Sequence, residues 1–216
     1  MGLEVIDKIV QPRILMVGLG GIGSNLIHLL VPALEKCELN VEIDLMDDDI
    51  IESTNLGHQN YSMVDVGKSK ASALANRYCH FDSVRVIGKE EPLRTPEQLD
   101  GYDVIIVAVD RAQPRELVHQ SDRLWLDLRC QGDGWIMIDN KTSSKIANNL
   151  PQSATPTSCQ IPRALENKNI EFGFAAVAAL GAQWAFQTIR ILNGLKSEIP
   201  KFRLGYLTYG EVEIND

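Results

Sequence analysis

The sequence predicts an α/β fold: a doubly wound, mainly parallel sheet with an antiparallel hairpin at one edge. Three observations carry this. Ile14-Leu15-Met16-Val17 is an unbroken apolar run of the kind that forms a strand buried on both faces. Gly18-Leu19-Gly20-Gly21-Ile22-Gly23 follows at once as G-x-G-x-x-G and leads into a helical stretch over residues 24–30, so strand, tight turn and helix N-terminus are consecutive and Rossmann-like. Val104-Ile105-Ile106-Val107-Ala108-Val109 is a second run apolar on both faces, and it delivers Asp110 to the carboxyl edge of the sheet.

The elements follow in order. Pro12 stands at the entrance of the first strand, where it removes no ladder bond. The first helix is expected over 21–35, with Pro32 kinking or ending it about a turn early. A second strand, Val41-Glu42-Ile43-Asp44-Leu45-Met46, runs into Asp47-Asp48-Asp49. After a polar segment over 47–65, an alanine-rich helix is predicted over 67–78 and a short third strand over 84–87. Thr95-Pro96-Glu97-Gln98 has an N-cap and a proline at the first helical position. A helix over 113–123 precedes strands over 124–129 and 134–138, which the turn Gln131-Gly132-Asp133-Gly134 folds into an antiparallel hairpin. Residues 141–172 read as one long polar loop with Pro151, Pro156 and Pro162, either functional or disordered. An apolar helix over 174–193 stops at Asn193-Gly194, and one last strand lies between 203 and 214. The 216 residues suit a single domain over 1–216.

Composition narrows the classes. A net charge of −8 lacks the basic field of a sequence-independent nucleic-acid binder. No apolar run is long enough to span a bilayer, and Met1-Gly2-Leu3-Glu4-Val5 has no signal-peptide character, so a cytoplasmic protein is expected. Cys37, Cys79, Cys130 and Cys159 are widely spaced without C-x-x-C, which suits reduced thiols and no zinc site.

The glycine turn points to a nucleotide. Its first glycine permits the turn, its second lets backbone N–H groups approach a phosphate, and its third lets helix pack on strand. The acids at 47–49 lie 24 to 26 residues beyond Gly23, about where this fold places a ribose-binding carboxylate. Taken alone, the turn suits NAD(P) as well as it suits ATP.

Asp47-Asp48-Asp49-Ile50-Ile51-Glu52-Ser53-Thr54-Asn55-Leu56-Gly57-His58-Gln59 resembles the D-x-D-x-V-x-x-S-N-L-x-R-Q signature of the ThiF/MoeB/HesA family, the activating enzymes of ubiquitin-like and sulfur-carrier proteins. Gly67 and Lys70 resemble its G-x-x-K. Asp110 and Arg115 resemble its D-N-x-x-x-R, with Arg111 in place of Asn, and the late helix ending in Ile189-Arg190-Ile191-Leu192-Asn193-Gly194 resembles its I-K-L-L-x-G. A dehydrogenase has no use for the 47–59 loop, so the resemblance favours ATP over a dinucleotide.

The resemblance implies adenylation: ATP and Mg²⁺ activate the C-terminal carboxylate of a ubiquitin-like protein, a sulfur carrier or a peptide. It assigns Lys70 to the phosphates, Asp110 to Mg²⁺, and Asp47 to the ribose with Asp49 beside it. Gly18, Gly20, Gly21 and Gly23 lay backbone along the nucleotide, and Asn55 and Gln59 fix the loop or donate to phosphate. Cys159 lies where some relatives carry a covalent cysteine, with Arg163 as its near cation in sequence; its plain reading is a passive loop residue. Cys37, Cys79 and Cys130 read as structural. His58 replaces the family's Arg, and an imidazole is mostly neutral near pH 7 where a guanidinium is charged. The family also implies a homodimer. The alternatives are a scaffold half of a heterodimeric activating enzyme, with chemistry on another subunit, and a tRNA-modifying relative, against which the acidic balance argues.

Overall fold

The computed structural model describes residues 11–142, 159–161, 163–164 and 166–212. Much of the predicted long loop, including Pro151, Pro156 and Pro162, lies outside the described residues.

One eight-stranded sheet runs in the order β3-β2-β1-β4-β5-β6-β7-β8. Strands β1 (Arg13–Val17), β2 (Val41–Met46), β3 (Val84–Lys89), β4 (Val104–Val107) and β5 (Leu124–Gln131) are parallel. Strands β6 (Gly134–Asp139), β7 (Arg203–Tyr206) and β8 (Gly210–Glu211) continue antiparallel from β5. The chain leaves β1 towards β2 and β3, then returns to β1's other side as β4. That reversal opens a crevice at the carboxyl ends of β1 and β4.

Each apolar strand feeds two cores. Ile14 and Met16 of β1 join the larger core under α1 (Gly21–Lys36), α2 (Lys70–Arg77) and α4 (Gly173–Leu192). Leu15 and Val17 face the smaller core with Leu99, Tyr102 and Val118, under α3 (Ala112–His119) and the 3-10 turn Pro96–Leu99. Burial on both faces is why these strands are apolar throughout and not alternating. Helix α4 lies close because Gly181 has no side chain: a Cβ there would come within 2.5 Å of Leu128 Cδ1 and 2.9 Å of Leu26 Cδ1.

Several boundaries differ from expectation. Helix α1 runs through Pro32 to Lys36, because Pro32 and the residue four before it, His28, are both exposed, and the carbonyl it leaves unbonded can meet water. Helix α2 begins at Lys70, not 67: Gly67 has φ +87, outside helical space, and Ser69 caps the helix by accepting from Ser72 N–H. Helix α3 ends at His119, whose ring reaches across to Asp127, instead of continuing to 123. The closing strand is two, β7 and β8, joined by a tight turn at the sheet edge. The predicted hairpin of β5 and β6 is present in register, Gln131 opposite Gly134. No helix among the described residues is long and apolar enough to cross a membrane.

Candidate functional site

A cavity of about 640 Å³ opens at the crevice, and Gly18, Gly20, Gly21, Asp47, Asp49, Asn55, His58, Gln59, Lys70, Asp110 and Cys159 all line it. Gly23 lies just behind, in α1. Residues up to 141 positions apart in sequence, Gly18 and Cys159, are thus collected into one space.

The glycine turn is fastened before any ligand binds. Asp47 accepts from Leu19 N–H through Oδ2 at 2.6 Å and from Asp49 N–H through Oδ1 at 2.8 Å. The carboxylate expected on the ribose therefore also holds the turn while lining the cavity. Burial pushes the Asp47 carboxyl above its usual range, against the pull of Lys70 and the two backbone donors. Tyr61 Oη donates to Leu19 O at 2.9 Å. Burial raises the pKa of the Tyr61 phenol, which stays a donor. The 3-10 turn Ser53–Asn55 and the residues after it are tied to α1: Ser24 Oγ accepts from Asn60 N–H at 2.9 Å, and Asn25 Nδ2 donates to His58 O at 3.2 Å.

Gly20 and Gly23 differ in what their missing side chains permit. A Cβ on Gly23 would stand 1.9 Å from Gly18 O, so only glycine lets the helix start against the turn. A Cβ on Gly20 would meet nothing within 4 Å, which leaves its backbone open to the cavity.

Lys70 is buried, and its Nζ lies 2.8 Å from Asp49 Oδ2. Asp49, which could have been a solvated loop charge, is thus the lysine's partner. Asn55 fixes its own loop by accepting from Glu52 N–H at 2.9 Å. His58 packs edge-on to Phe174, and burial and Lys70 both lower its pKa, so the ring is neutral near pH 7. Asp110 does not cap α3; Arg111 occupies the N-cap position without a side-chain bond, and Asp110 is exposed on the cavity wall.

Sequence reasoning missed two clusters. The first is centred on Asp127 in β5, which is fully buried. Its Oδ2 accepts from Arg129 Nε at 3.0 Å and Nη2 at 2.6 Å and lies 3.0 Å from His119 Nε2, while Arg115 Nε is 3.4 Å from Oδ1. Burial alone would raise the Asp127 carboxyl; the His119 bond and the two guanidinium groups bring it below the usual range instead. Arg115 also donates to Val109 O, so the cluster grips the end of β4. The one available signal was a charge inside the apolar run Leu124-Trp125-Leu126-Asp127-Leu128.

The second is a pair of thiols. Cys130, expected to be structural, lines the cavity beside Cys159, and its Sγ lies 3.9 Å from Cys159 O. The Cys130 thiol and the Ile22 N–H at the start of α1 favour the Cys159 thiolate and lower its pKa against the effect of burial, while the neighbouring Cys159 and burial raise the pKa of Cys130. Arg163, the near cation in sequence, is exposed and paired with Glu166 at 3.8 Å, and the guanidinium that acts on Cys159 is Arg115. Gly21 lies beside the sulfur: a Cβ there would stand 3.5 Å from it, an ordinary contact.

Comparisons with known proteins give the family and the fold. The sequence profile of the ThiF family matches residues 1–214. A probable molybdopterin-synthase adenylyltransferase of Porphyra purpurea is 30% identical over 125 residues, covering 55% of this chain and 31% of that protein. The ATP-dependent ubiquitin transferase-like protein Cap2 of Escherichia coli strain TW11681 is 34% identical over 109 residues, covering 48% of this chain and 18% of Cap2. The matches thus span less than a third of either relative. Among solved structures, E. coli MccB with MccA-N7isoASN superposes with a TM-score of 0.67 at 18% identity, over 94% of this chain and 64% of that one. PaaA gives 0.63 at 17% identity, over 94% and 63%. At that identity the likeness establishes the shared fold.

Proposed function

The chain belongs to the ThiF family, and from that premise we propose that it adenylates a carboxylate with ATP. The acceptor in this reading is the C-terminus of a ubiquitin-like or sulfur-carrier protein or of a peptide. The observation that carries it is one cavity bringing Gly20, Asp47, Lys70 and Asp110 together. The relatives' names support it: an adenylyltransferase, an ATP-dependent ubiquitin transferase-like protein, and MccB solved with ATP.

The chemistry follows from charge. A carboxylate oxygen of the acceptor attacks the α-phosphorus, forming an O–P bond. The bond to the bridging oxygen breaks, pyrophosphate leaves with the electron pair, and an acyl-adenylate remains. Two anions must approach, so the protein's work is neutralisation and positioning. Backbone N–H groups at the N-terminus of α1 receive phosphate oxygens. Lys70 adds a cation held in place by Asp49, and Asp47 orients the ribose from beneath the glycine turn. In this reading the Cys159 thiolate, beside Gly21, takes the acyl group as a thioester, forming the S–C bond as AMP leaves with the C–O electron pair.

The acids fit a hard divalent ion. Asp110 makes no ion pair among the described residues and is exposed to the cavity, and carboxylate oxygens of Asp47, Asp48 and Asp49 lie within 4.8 Å of one another. Asp110 would hold Mg²⁺, which when bound neutralises phosphate charge. A homodimer is part of the proposal and is read by light scattering.

The test is ATP–pyrophosphate exchange with a panel of small proteins and peptides ending in Gly-Gly or other free carboxylates. Exchange with one of them, lost in Lys70→Ala, is expected. Absence of ATP binding by calorimetry would overturn the reading in favour of a scaffold role.

A further inference from the structure

The basic side chains on the cavity wall are Lys70, Arg94, Arg111, Arg115 and Arg129. Most are committed. Lys70 is bonded to Asp49, and Arg115 and Arg129 are anchored on Asp127. His58 is neutral and adds no charge. Arg94 and Arg111 alone among these five have no carboxylate within 4.0 Å among the described residues.

Their positions separate them. Arg94 follows β3, on the side of the sheet where Asp47 ends β2. Arg111 follows β4, whose end lies against the glycine turn: a Cβ on Gly18 would stand 2.6 Å from Ala108 O. On its other side β4 adjoins β5, and from there the cavity continues past Arg129 and Cys130 to Trp135 and Tyr206 on the antiparallel edge. Arg111 thus stands between the turn that receives phosphates and the arm left open for an acceptor.

We infer that Arg111 is the guanidinium that binds the nucleotide's phosphate where the acceptor carboxylate arrives. The inference rests on the adenylation reading and assigns a residue to it. A paired cation has part of its field cancelled by its partner, whereas an unpaired guanidinium offers full charge and a planar fork matched to phosphate oxygens. Asp110 beside it in sequence makes no ion pair with it, which leaves both side chains available to a metal-bound phosphate.

Calorimetry of ATP, AMP and adenosine, with Mg²⁺, on wild type, Arg111→Gln and Arg111→Lys tests this. Arg111→Gln should weaken ATP and AMP by roughly tenfold or more, the scale of a charged hydrogen bond, and leave adenosine unchanged. Arg111→Lys should recover part of the loss. The exposed position predicts an unchanged melting temperature for both variants. Equal ATP affinity in wild type and Arg111→Gln would overturn the inference and leave the adenylation reading standing. Adenosine weakened as much as ATP would overturn it too, since the loss would not lie at phosphate. A wild-type protein that binds no ATP would overturn the adenylation reading itself.

Discussion

Lys70 Nζ lies 2.8 Å from Asp49 Oδ2, with the lysine side chain 7% exposed and the aspartate 55% exposed. The pair is lopsided. Losing the lysine leaves an acid that water can solvate, at a cost of about 1 kcal/mol or less. Losing the aspartate strips a buried cation of its direct partner. Lys70→Met should therefore melt close to wild type yet lose about a hundredfold or more in ATP–pyrophosphate exchange. Asp49→Asn should show the larger fall in melting temperature. Scanning calorimetry beside the exchange assay separates the two effects, and a reversed order of melting temperatures would contradict the geometry.

Gly20→Ala and Gly23→Ala should part company. The new methyl at 20 meets no protein atom within 4 Å and projects into the space a nucleotide would fill, so stability should hold while ATP affinity drops. At 23 the methyl would collide with Gly18 O and with Met16 Cε, at 1.9 and 2.8 Å, so the turn must shift and the protein should lose about 1–3 kcal/mol or more. Urea unfolding and ATP titration of both variants read this directly.

Asp127 should dominate the acid limb of stability. Its folded pKa lies below the usual value of 3.8. The contribution is therefore present in full above the unfolded pKa and is lost as pH falls through the lower folded one. Asp127→Asn leaves the guanidinium groups of Arg115 and Arg129 without their shared carboxylate. Breaking such a buried cluster costs about 3–5 kcal/mol. The variant should lose stability at pH 7 and show a flatter dependence on acid below pH 4; a parallel pH profile would show that the carboxylate is not charged in the fold.

Cys159 should titrate below an ordinary cysteine, because the neighbouring Cys130 thiol and Ile22 N–H favour its thiolate against the effect of burial. Alkylation with iodoacetamide across pH, read by peptide mass spectrometry, should place its midpoint below that of an ordinary cysteine. Cys130→Ala removes a donor and should move that midpoint up. An unmoved midpoint would mean that the two sulfurs do not interact.

What the sequence made legible was contiguous. The first strand, the glycine turn and residues 47–59 are read from neighbours in the chain, because turn geometry and a buried strand are local demands. The 3-10 turn at Pro96 was legible from Thr95-Pro96-Glu97-Gln98 for the same reason. The Asp127 cluster was not, since its partners come from both α3 and β5 and only folding brings them to one carboxylate. Cys130 and Cys159 meet across 29 positions, with Gly132 N–H bonded to Cys159 O at 3.0 Å. Strands β7 and β8 are too short for a periodic signal; pairing of β7 with β6 and of β8 with β7 defines them. Pro32 does not end the helix early, because its cost depends on which side of the helix faces water.

Asp47, Tyr61, Ser24 and Asn25 together pin the glycine turn and the loop beside it from four directions. Walls so fastened surrender few torsions when a guest settles between them, and less of the attraction is spent on ordering. Among the described residues, the order that the proposed nucleotide cleft needs is thus already in the fold before a guest arrives.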